Sequence, residues 1–141
     1  MRWQRQDGYF ISTEKDLLSI DVIHGYISRS YWAPGRPREV VQSSIENSTL
    51  SFGVYAPDGT QVGFARVVSD LTTMYWLGDV FVLEEHRGKG LGKWLVDCIV
   101  HLPQLEKLSG LLATRDAHEL YAQYGFKVPD DPRIFMRRKL E

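Results

Sequence analysis

A glycine-rich segment between a strand pattern and a regular helical pattern constrains the fold of this chain most. Residues 74–83 are rich in aromatic and β-branched side chains, which predicts a strand. Residues 87–92 read Arg-Gly-Lys-Gly-Leu-Gly, and after them apolar residues recur every three or four positions as far as Pro103. That spacing predicts an amphipathic helix with one buried face. The apolar positions of this helix are Leu91, Trp94, Leu95, Cys98, Ile99 and Leu102.

Shorter patterns before this segment predict two helices and a hairpin. Isoleucines three or four residues apart place a helix within residues 12–30, with Ser19 as a candidate N-cap. Pro37 suits the first turn of a second helix over residues 38–47. Strands are predicted at residues 50–56 and 61–69, joined by a Pro-Asp-Gly-Thr turn, and an apolar run at residues 9–11 could open a sheet.

The C-terminal third alternates between strand and helix patterns. Residues 111–114 and 134–137 are predicted strands, and residues 117–124 a short helix. The predicted order of elements is therefore α-α-β-β-β-α-β-α-β. Such an interleaved order predicts an α/β (α+β) fold, a mixed sheet with helices on its faces.

Composition narrows the classes of function. A length of 141 residues fits one domain, so residues 1–141 are expected to form a single unit. The net charge of −1 argues against a nucleic-acid binder, and no apolar run approaches the ~18 residues of a membrane span. Cys98 is the only cysteine, and the N-terminus is polar, unlike a secretory signal. We therefore expect a cytoplasmic protein that binds neither nucleic acid nor membrane.

The glycine segment is suited to binding a phosphate or pyrophosphate. A helix that begins after glycines presents free backbone N–H groups, and no Cβ atoms keep an anion away. A Walker loop is excluded because Arg87 stands at its first glycine and Trp94 replaces its Ser or Thr. A dinucleotide fingerprint is excluded because the glycines, Gly88, Gly90 and Gly92, are spaced G-x-G-x-G. The pattern that remains is R-x-x-G-x-G.

This pattern, between a strand and an amphipathic helix, resembles the acyl-CoA pyrophosphate loop of the GNAT superfamily of N-acetyltransferases. A second motif supports the resemblance: members often carry N-x-x-A-x-x-L-Y-x-x-x-G-F after the next strand. Here the residues at those positions are Thr114, Ala117, Leu120, Tyr121, Gly125 and Phe126. Only the first position departs from the family pattern. The resemblance extends over residues 50–138, whereas the N-terminal third matches in helix count alone.

The resemblance implies direct transfer of an acetyl group from acetyl-CoA to a primary amine of a small molecule or peptide. It also implies a mostly antiparallel sheet in which a central strand pair splays apart and holds CoA. The strand before the loop would pair with the pantetheine arm, with the Val80 N–H near the thioester oxygen. No metal is expected. By this resemblance the residues that bind acetyl-CoA are Val80, Val82, Arg87, Gly88, Lys89, Gly90, Leu91, Gly92, Lys93 and Thr114.

The resemblance makes Tyr121 the general acid that meets the departing thiolate, whereas the general base is less well specified. Some members carry a carboxylate earlier on the strand, on the same side as the cofactor-pairing residues. Strand alternation from Val80 and Val82 gives that side to Trp76 and Gly78, and Asp79 has the opposite parity. Asp79 is nevertheless the only acid of the strand and is the expected base. Alternatives are a water chain without a dedicated base, or the nearby Glu84, Glu85, Asp116 and His118.

The N-terminal helices are expected to select the acceptor. Tyr31 and Trp32 would form a wall of the amine pocket, with a hydrophobic staple as the alternative. Arg29, Arg36 and Arg38 could hold an acceptor carboxylate or could be ordinary solvated side chains. A non-catalytic acyl-CoA-binding or regulatory module on the same fold is the second functional hypothesis. The sequence names neither the acceptor nor the length of the acyl group, and it leaves a homodimer open.

Overall fold

The computed structural model describes residues 1–139, and its centre is one six-stranded sheet. The strands lie side by side in chain order, so no connection within the sheet skips a strand. Neighbours are antiparallel except for the last pair, which is parallel. The strands are β1 (Arg2–Gln4), β2 (Phe10–Ser12), β3 (Leu50–Tyr55), β4 (Gln61–Ser69), β5 (Met74–Val82) and β6 (Ser109–Leu111).

In the described part of the chain, four α-helices cover the two faces of this sheet: α1 (Ile20–Ile27), α2 (Arg38–Asn47), α3 (Leu91–Val100) and α4 (His118–Ala122). The first begins at Ser19, whose Oγ accepts a hydrogen bond from the Val22 N–H at 3.3 Å. Isoleucines and valines of α1 and α2 pack with Phe64 and Phe81 on one face, and the apolar stripe of α3 packs on the other. Within residues 1–139 no helix has the length and apolar character needed to cross a membrane.

A β-bulge in β5 changes the face to which its side chains point. Asp79 and Val80 together lie opposite Ala65 of β4, and Asp79 adopts a left-handed backbone conformation with φ 53°. Before the bulge, Leu77 packs against the α3 core; after it, Phe81 packs against the α1 and α2 core. Two odd-numbered residues of one strand therefore face opposite sides of the sheet.

The sheet opens where β5 and β6 part. The parallel pairing covers only three residues of each strand, from Met74 opposite Ser109 to Trp76 opposite Leu111. Beyond that point, within the described residues, β5 continues to Val82 along β4 while the chain after β6 turns toward α4. The edge of β5 that faces away from β4 is consequently left open.

Most predicted elements are present, and the expected mixed α/β sheet is confirmed. The hairpin of β3 and β4 and the bounds of α2 agree with the sequence patterns, whereas β6 lies two residues earlier than expected. The strand predicted at residues 134–137 is wrong. Pro132 follows Asp131, whose carboxylate accepts the Arg133 N–H, and this geometry favours the 3₁₀ turn Pro132–Ile134. The edge strand β1 was not predicted because its three residues are largely polar and exposed.

We predict that Gly110→Ala lowers the free energy of unfolding by about 1–3 kcal/mol, the usual cost of overpacking. A Cβ at this position would lie 2.6 Å from the ring and hydroxyl of buried Tyr75, its partner across the β5–β6 pair. Gly25→Ala is the control, because its Cβ would meet only the Arg29 Nη1 at 3.7 Å. Urea denaturation measures both. Equal midpoints for the wild type and Gly110→Ala would contradict this packing.

Candidate active site

A cleft of about 1620 Å³ lies where β5 and β6 part. Most of its walls come from four stretches of chain: the end of α1 with the loop after it, the second half of β5, the segment from β5 through the glycine loop to the start of α3, and residues 113–121. Arg66 of β4 and the C-terminal residues Arg137 and Lys139 complete the lining. The fold thus brings the glycine loop and the second sequence motif to one site. Within residues 1–139 no group of three or more His, Cys, Asp or Glu could hold a metal ion.

The glycine loop leaves the first backbone N–H groups of α3 without helical partners. The first helical bond runs from the Trp94 N–H to the Gly90 carbonyl at 3.0 Å, and no side chain caps the helix start. Gly88 and Gly90 have φ of 82° and 73°, a region that L side chains rarely adopt. The loop is therefore shaped to bring N–H groups and partial positive charge close to an anionic ligand.

Two arginines hold this loop in place. Arg5, in the turn after β1, donates from Nη1 to the Lys89 carbonyl at 3.0 Å, and its guanidinium lies 5.1 Å from the Trp94 ring centroid. Arg87 donates to the Val82 carbonyl at 3.1 Å and to the Tyr26 hydroxyl at 2.8 Å. The role of Arg5 was missed because it is 84 residues from its partner in sequence and belongs to no motif.

The predicted acetyl-CoA residues divide by their position around the cleft. Thr114 lies in its wall, and its Oγ1 accepts the Ala117 N–H at 3.0 Å at the start of α4. Lys89 and Lys93 are exposed and are outside the described cleft lining. The other predicted members line the cleft: Val80, Val82, Arg87, Gly88, Gly90, Leu91 and Gly92.

The open edge of β5 offers backbone groups to a ligand. The Leu83 N–H donates to the Val62 carbonyl at 2.8 Å, so the backbone groups of Val82 point away from β4 and toward the cleft. The side chains of Val80 and Val82 are half-buried and pack against the α3 core. A strand edge of this kind can pair with an extended, amide-containing ligand.

The side-chain alternation expected along β5 is wrong, because the bulge at Asp79 and Val80 exchanges the faces to which odd- and even-numbered residues point. Trp76 is on the face of the sheet opposite Leu77, which packs against α3, and Asp79 bonds residues of the α1–α2 segment. Trp76 and Asp79 therefore share one face, whereas Val80 and Val82 occupy the other. Strand alternation alone cannot reveal this, because it assumes an unbroken pleat.

Asp79 is buried at the bulge and fully engaged by three donors. Its Oδ2 accepts from the Arg66 Nε at 2.6 Å and the Arg36 Nη1 at 2.9 Å, and its Oδ1 accepts from the Trp32 Nε1 at 2.8 Å. Burial opposes ionisation, but the charges of both arginines and these hydrogen bonds outweigh it and hold the pKa of Asp79 below its usual value.

This arrangement argues against the base role expected of Asp79. A carboxylate with a lowered pKa and three hydrogen bonds is a poor proton acceptor near neutral pH. Of the alternative bases, Glu84, Glu85 and Asp116 line the cleft and are exposed, whereas His118 is outside its described lining. The geometry fits Asp79 as an anchor that positions Trp32 and Arg36.

Tyr121 lines the cleft from α4 and is 8% exposed. Burial, with smaller contributions from Tyr31 and Asp116, raises the pKa of its hydroxyl to about 12. The phenol therefore stays protonated at neutral pH and is a hydrogen-bond donor. Cys98, by contrast, is buried in the α3 core, and burial raises the pKa of its thiol to about 12, so it is unsuited to act as a nucleophile.

Tyr31 and Trp32 form an aromatic wall of the cleft. They are 40% and 36% exposed, and their rings pack edge to face with centroids 5.2 Å apart. The Tyr31 hydroxyl accepts the Arg115 N–H at 2.9 Å, and the Arg115 guanidinium lies 4.0 Å from the Tyr31 ring centroid. This contact joins the α1–α2 loop to the segment before α4 and narrows the cleft.

Comparisons with known proteins agree on one family. The model of the "Acetyltransferase (GNAT) domain" matches residues 48–128. A structure from Xanthomonas campestris pv. campestris, assigned as a GNAT-family acetyltransferase, is 47% identical with a TM-score of 0.88, covering 94% of this chain and 93% of that one. A curated Gibberella zeae protein assigned as an acetyltransferase is 29% identical over 144 residues, covering 86% and 79% of the two chains.

A more distant structure shows the same fold. Glucosamine-6-phosphate N-acetyltransferase from Arabidopsis thaliana is 16% identical to this chain, with a TM-score of 0.65. The match covers 94% of this chain and 99% of that one. At this identity the likeness concerns the architecture of sheet and helices alone.

We predict that Asp79→Asn lowers the free energy of unfolding by about 3–5 kcal/mol at neutral pH, since it leaves two half-buried guanidinium groups without their anion. Asn tolerates the left-handed backbone at this position, so the loss reports the charge. Chemical denaturation measures it. Asp21→Asn, which breaks the exposed pair with Arg38, is the control and is expected to change stability by less than about 1 kcal/mol.

The same pair gives a pH dependence of defined sign. Because the folded pKa of Asp79 is depressed, its contribution is full above the unfolded pKa of about 3.9 and is lost as pH falls toward the folded value. The difference in stability between wild type and Asp79→Asn should therefore shrink below about pH 4. A difference that is independent of pH in that range would contradict the ion pair.

Proposed function

The chain belongs to the GNAT acetyltransferase family, and from that premise we propose that it transfers an acetyl group from acetyl-CoA to an amine of a small molecule or peptide. The observation that carries the proposal is the meeting of three features in one cleft. These are the uncapped start of α3, the open edge of β5 and the protonated hydroxyl of Tyr121.

Acetyl-CoA would be held by backbone more than by side chains. The N–H groups at the start of α3 suit its pyrophosphate, because they are free and lie at the positive end of the helix dipole. The open edge of β5 suits the amides of the pantetheine arm, which would bring the thioester toward Val80 and the bulge. The Val80 N–H is our proposed donor to the thioester oxygen, where negative charge develops during attack.

The reaction proposed is a direct displacement. The neutral amine attacks the thioester carbonyl carbon, the C–S bond breaks, and the CoA thiolate leaves with a proton that Tyr121 supplies or stabilises by hydrogen bonding. Burial raises the pKa of the Tyr121 hydroxyl, so it is still protonated and can hydrogen-bond to sulfur as the negative charge arrives there. Where the proton is transferred to sulfur, water in the open cleft returns a proton to Tyr121. Water in the open cleft takes the amine proton, since Asp79 is committed to its arginines.

A second candidate function is a non-catalytic acyl-CoA-binding module on the same fold. The engagement of Asp79 by three donors favours it, because the cleft then lacks a dedicated carboxylate base at that position. Release of free thiol from acetyl-CoA in the presence of amines distinguishes the two. Binding of CoA without thiol release across a panel of amines would support the module.

We predict that Gly92→Ala weakens CoA binding by about tenfold or more, or about 1.4 kcal/mol. Gly92 is in the first turn of α3, and a Cβ there would meet only the Val82 Cγ2 at 3.9 Å, so the fold should tolerate it while the ligand approach is obstructed. Isothermal titration calorimetry with CoA measures the effect. Gly25→Ala is the control for glycine replacement in a helix, and Lys89→Ala should have a smaller effect because an exposed charge is screened.

We predict that Tyr121→Phe lowers kcat by about 10²–10⁴-fold and leaves the KM for acetyl-CoA nearly unchanged, because only the transition state needs the donor. Tyr124→Phe is the matched control: it removes a hydroxyl that donates to the Lys93 carbonyl outside the cleft. Single-turnover kinetics with acetyl-CoA would check both. If chemistry is rate-limiting and Tyr121→Phe keeps full turnover, the tyrosine is a packing residue.

A further inference from the structure

The cleft carries more positive than negative charge, and part of this charge surrounds Asp79, the end of the cleft where the acceptor would bind. Asp79 is one carboxylate, and it is shared by two guanidinium groups, those of Arg36 and Arg66, which both line the cleft. The other cationic residues of the cleft lining are Arg29, Arg87, Arg115, Arg137 and Lys139, and its other acids are Glu84, Glu85 and Asp116. Seven cationic side chains thus line the cleft against four carboxylates, and in a partly desolvated cleft this excess attracts an anion.

The arginines retain hydrogen-bond donors for such an anion. Arg36 uses Nη1 for Asp79, and a guanidinium has five N–H groups in a planar fork. Its side chain remains 23% exposed in the cleft lining, and that of Arg66 19%. The pair with Asp79 fixes the orientation of Arg36, so little side-chain entropy is lost when it binds a second carboxylate.

Apolar surface surrounds these charges. Trp76 is 39% exposed and lies against Gly78, where a Cβ would come within 3.1 Å of its Nε1. Trp32 contacts the cluster directly, because its Nε1 donates to the Asp79 Oδ1 at 2.8 Å. Both indoles line the same cleft as the arginines and offer contact surface to an apolar body.

We propose that the acceptor is an amine that also carries a carboxylate, bound by Arg36 with Arg66 behind it, its apolar body lying against Trp32 and Trp76. This inference rests on the proposed function and narrows its substrate class. Polycationic amines are disfavoured, because they would meet net positive charge at the acceptor end. Arg38 has no part in this site: it pairs with Asp21 outside the cleft lining.

The first experiment compares matched acceptors with the wild-type protein. Thiol release from acetyl-CoA is measured with phenylalanine against phenethylamine, tryptophan against tryptamine, 4-aminobutyrate against butylamine, and spermidine as a polycation. In each pair, the acceptor with the carboxylate should have a kcat/KM at least about tenfold higher than its decarboxylated partner. That is the effect expected of one hydrogen bond between charged groups. Equal or better turnover of the decarboxylated amines or spermidine, or no turnover of any acid, overturns the proposal.

The second experiment assigns the carboxylate to Arg36. Arg36→Gln should raise the KM for the carboxylated acceptor about tenfold more than the KM for its decarboxylated partner, and Arg36→Lys should partly restore the difference between the two acceptors. Arg38→Gln is the control and should change neither. Equal KM values for the carboxylated acceptor in wild type and Arg36→Gln overturn the assignment. The wild-type comparison of acceptors decides the substrate class even if Arg36→Gln does not fold.

A separate measurement distinguishes failure of this inference from failure of the proposed function. Calorimetric titration with acetyl-CoA tests the α3 end of the cleft, which lies apart from Arg36. Suppose that the protein binds acetyl-CoA but prefers amines that lack a carboxylate. The proposed function would then stand, and the proposed substrate class would be overturned. Loss of both acetyl-CoA binding and thiol release would overturn the function and the inference with it.

Discussion

The contact of Asp79 with Arg36 and Arg66 is the interaction on which the cleft depends. It joins the bulge of β5 to the neighbouring strand β4 and to the α1–α2 loop, three parts of the chain that share no local sequence. A left-handed aspartate is a strained backbone position, and the two ion pairs hold it there. Because the carboxylate is buried, removing it would leave both guanidinium groups uncompensated, so the contact specifies one geometry.

The bulge that this contact stabilises gives β5 two tasks. Before it, Tyr75 and Leu77 pack into the core beneath α3; beyond it, Phe81 packs beneath α1 while Val80 and Val82 line the cleft. A regular strand would have kept one face for all the odd positions. The change of face places an open strand edge in the same cleft as the aromatic pair Tyr31 and Trp32, and the proposed transfer requires both substrates in one cleft.

The glycine loop owes its position to contacts that are remote in sequence. Arg5 reaches it from the first hairpin and Arg87 ties it to Tyr26 of α1, so the loop is held by two contacts with the N-terminal third of the chain. That third carries no family motif, yet it also supplies Tyr31, Trp32 and Arg36. The proposed acetyl-CoA site thus depends on a local motif, whereas the proposed acceptor site is assembled by the tertiary structure.

The sequence by itself determined the glycine loop, the helix after it and the tyrosine of the second motif, because each is encoded over a few adjacent residues by spacing and backbone freedom. It also located α2 and the β3–β4 hairpin, where apolar period and turn residues agree.

The sequence could not predict the bulge at Asp79, since strand alternation assumes a regular pleat, or the 3₁₀ turn at Pro132–Ile134 in place of a final strand. It also could not assign partners to Asp79, Arg5 or Tyr31, which are 13 to 84 residues away along the chain. Side chains so far apart in sequence come within hydrogen-bonding distance only when the sheet and helices pack. The tertiary structure alone therefore decided that Asp79 is an anchor and that Arg36, but not Arg38, lines the cleft.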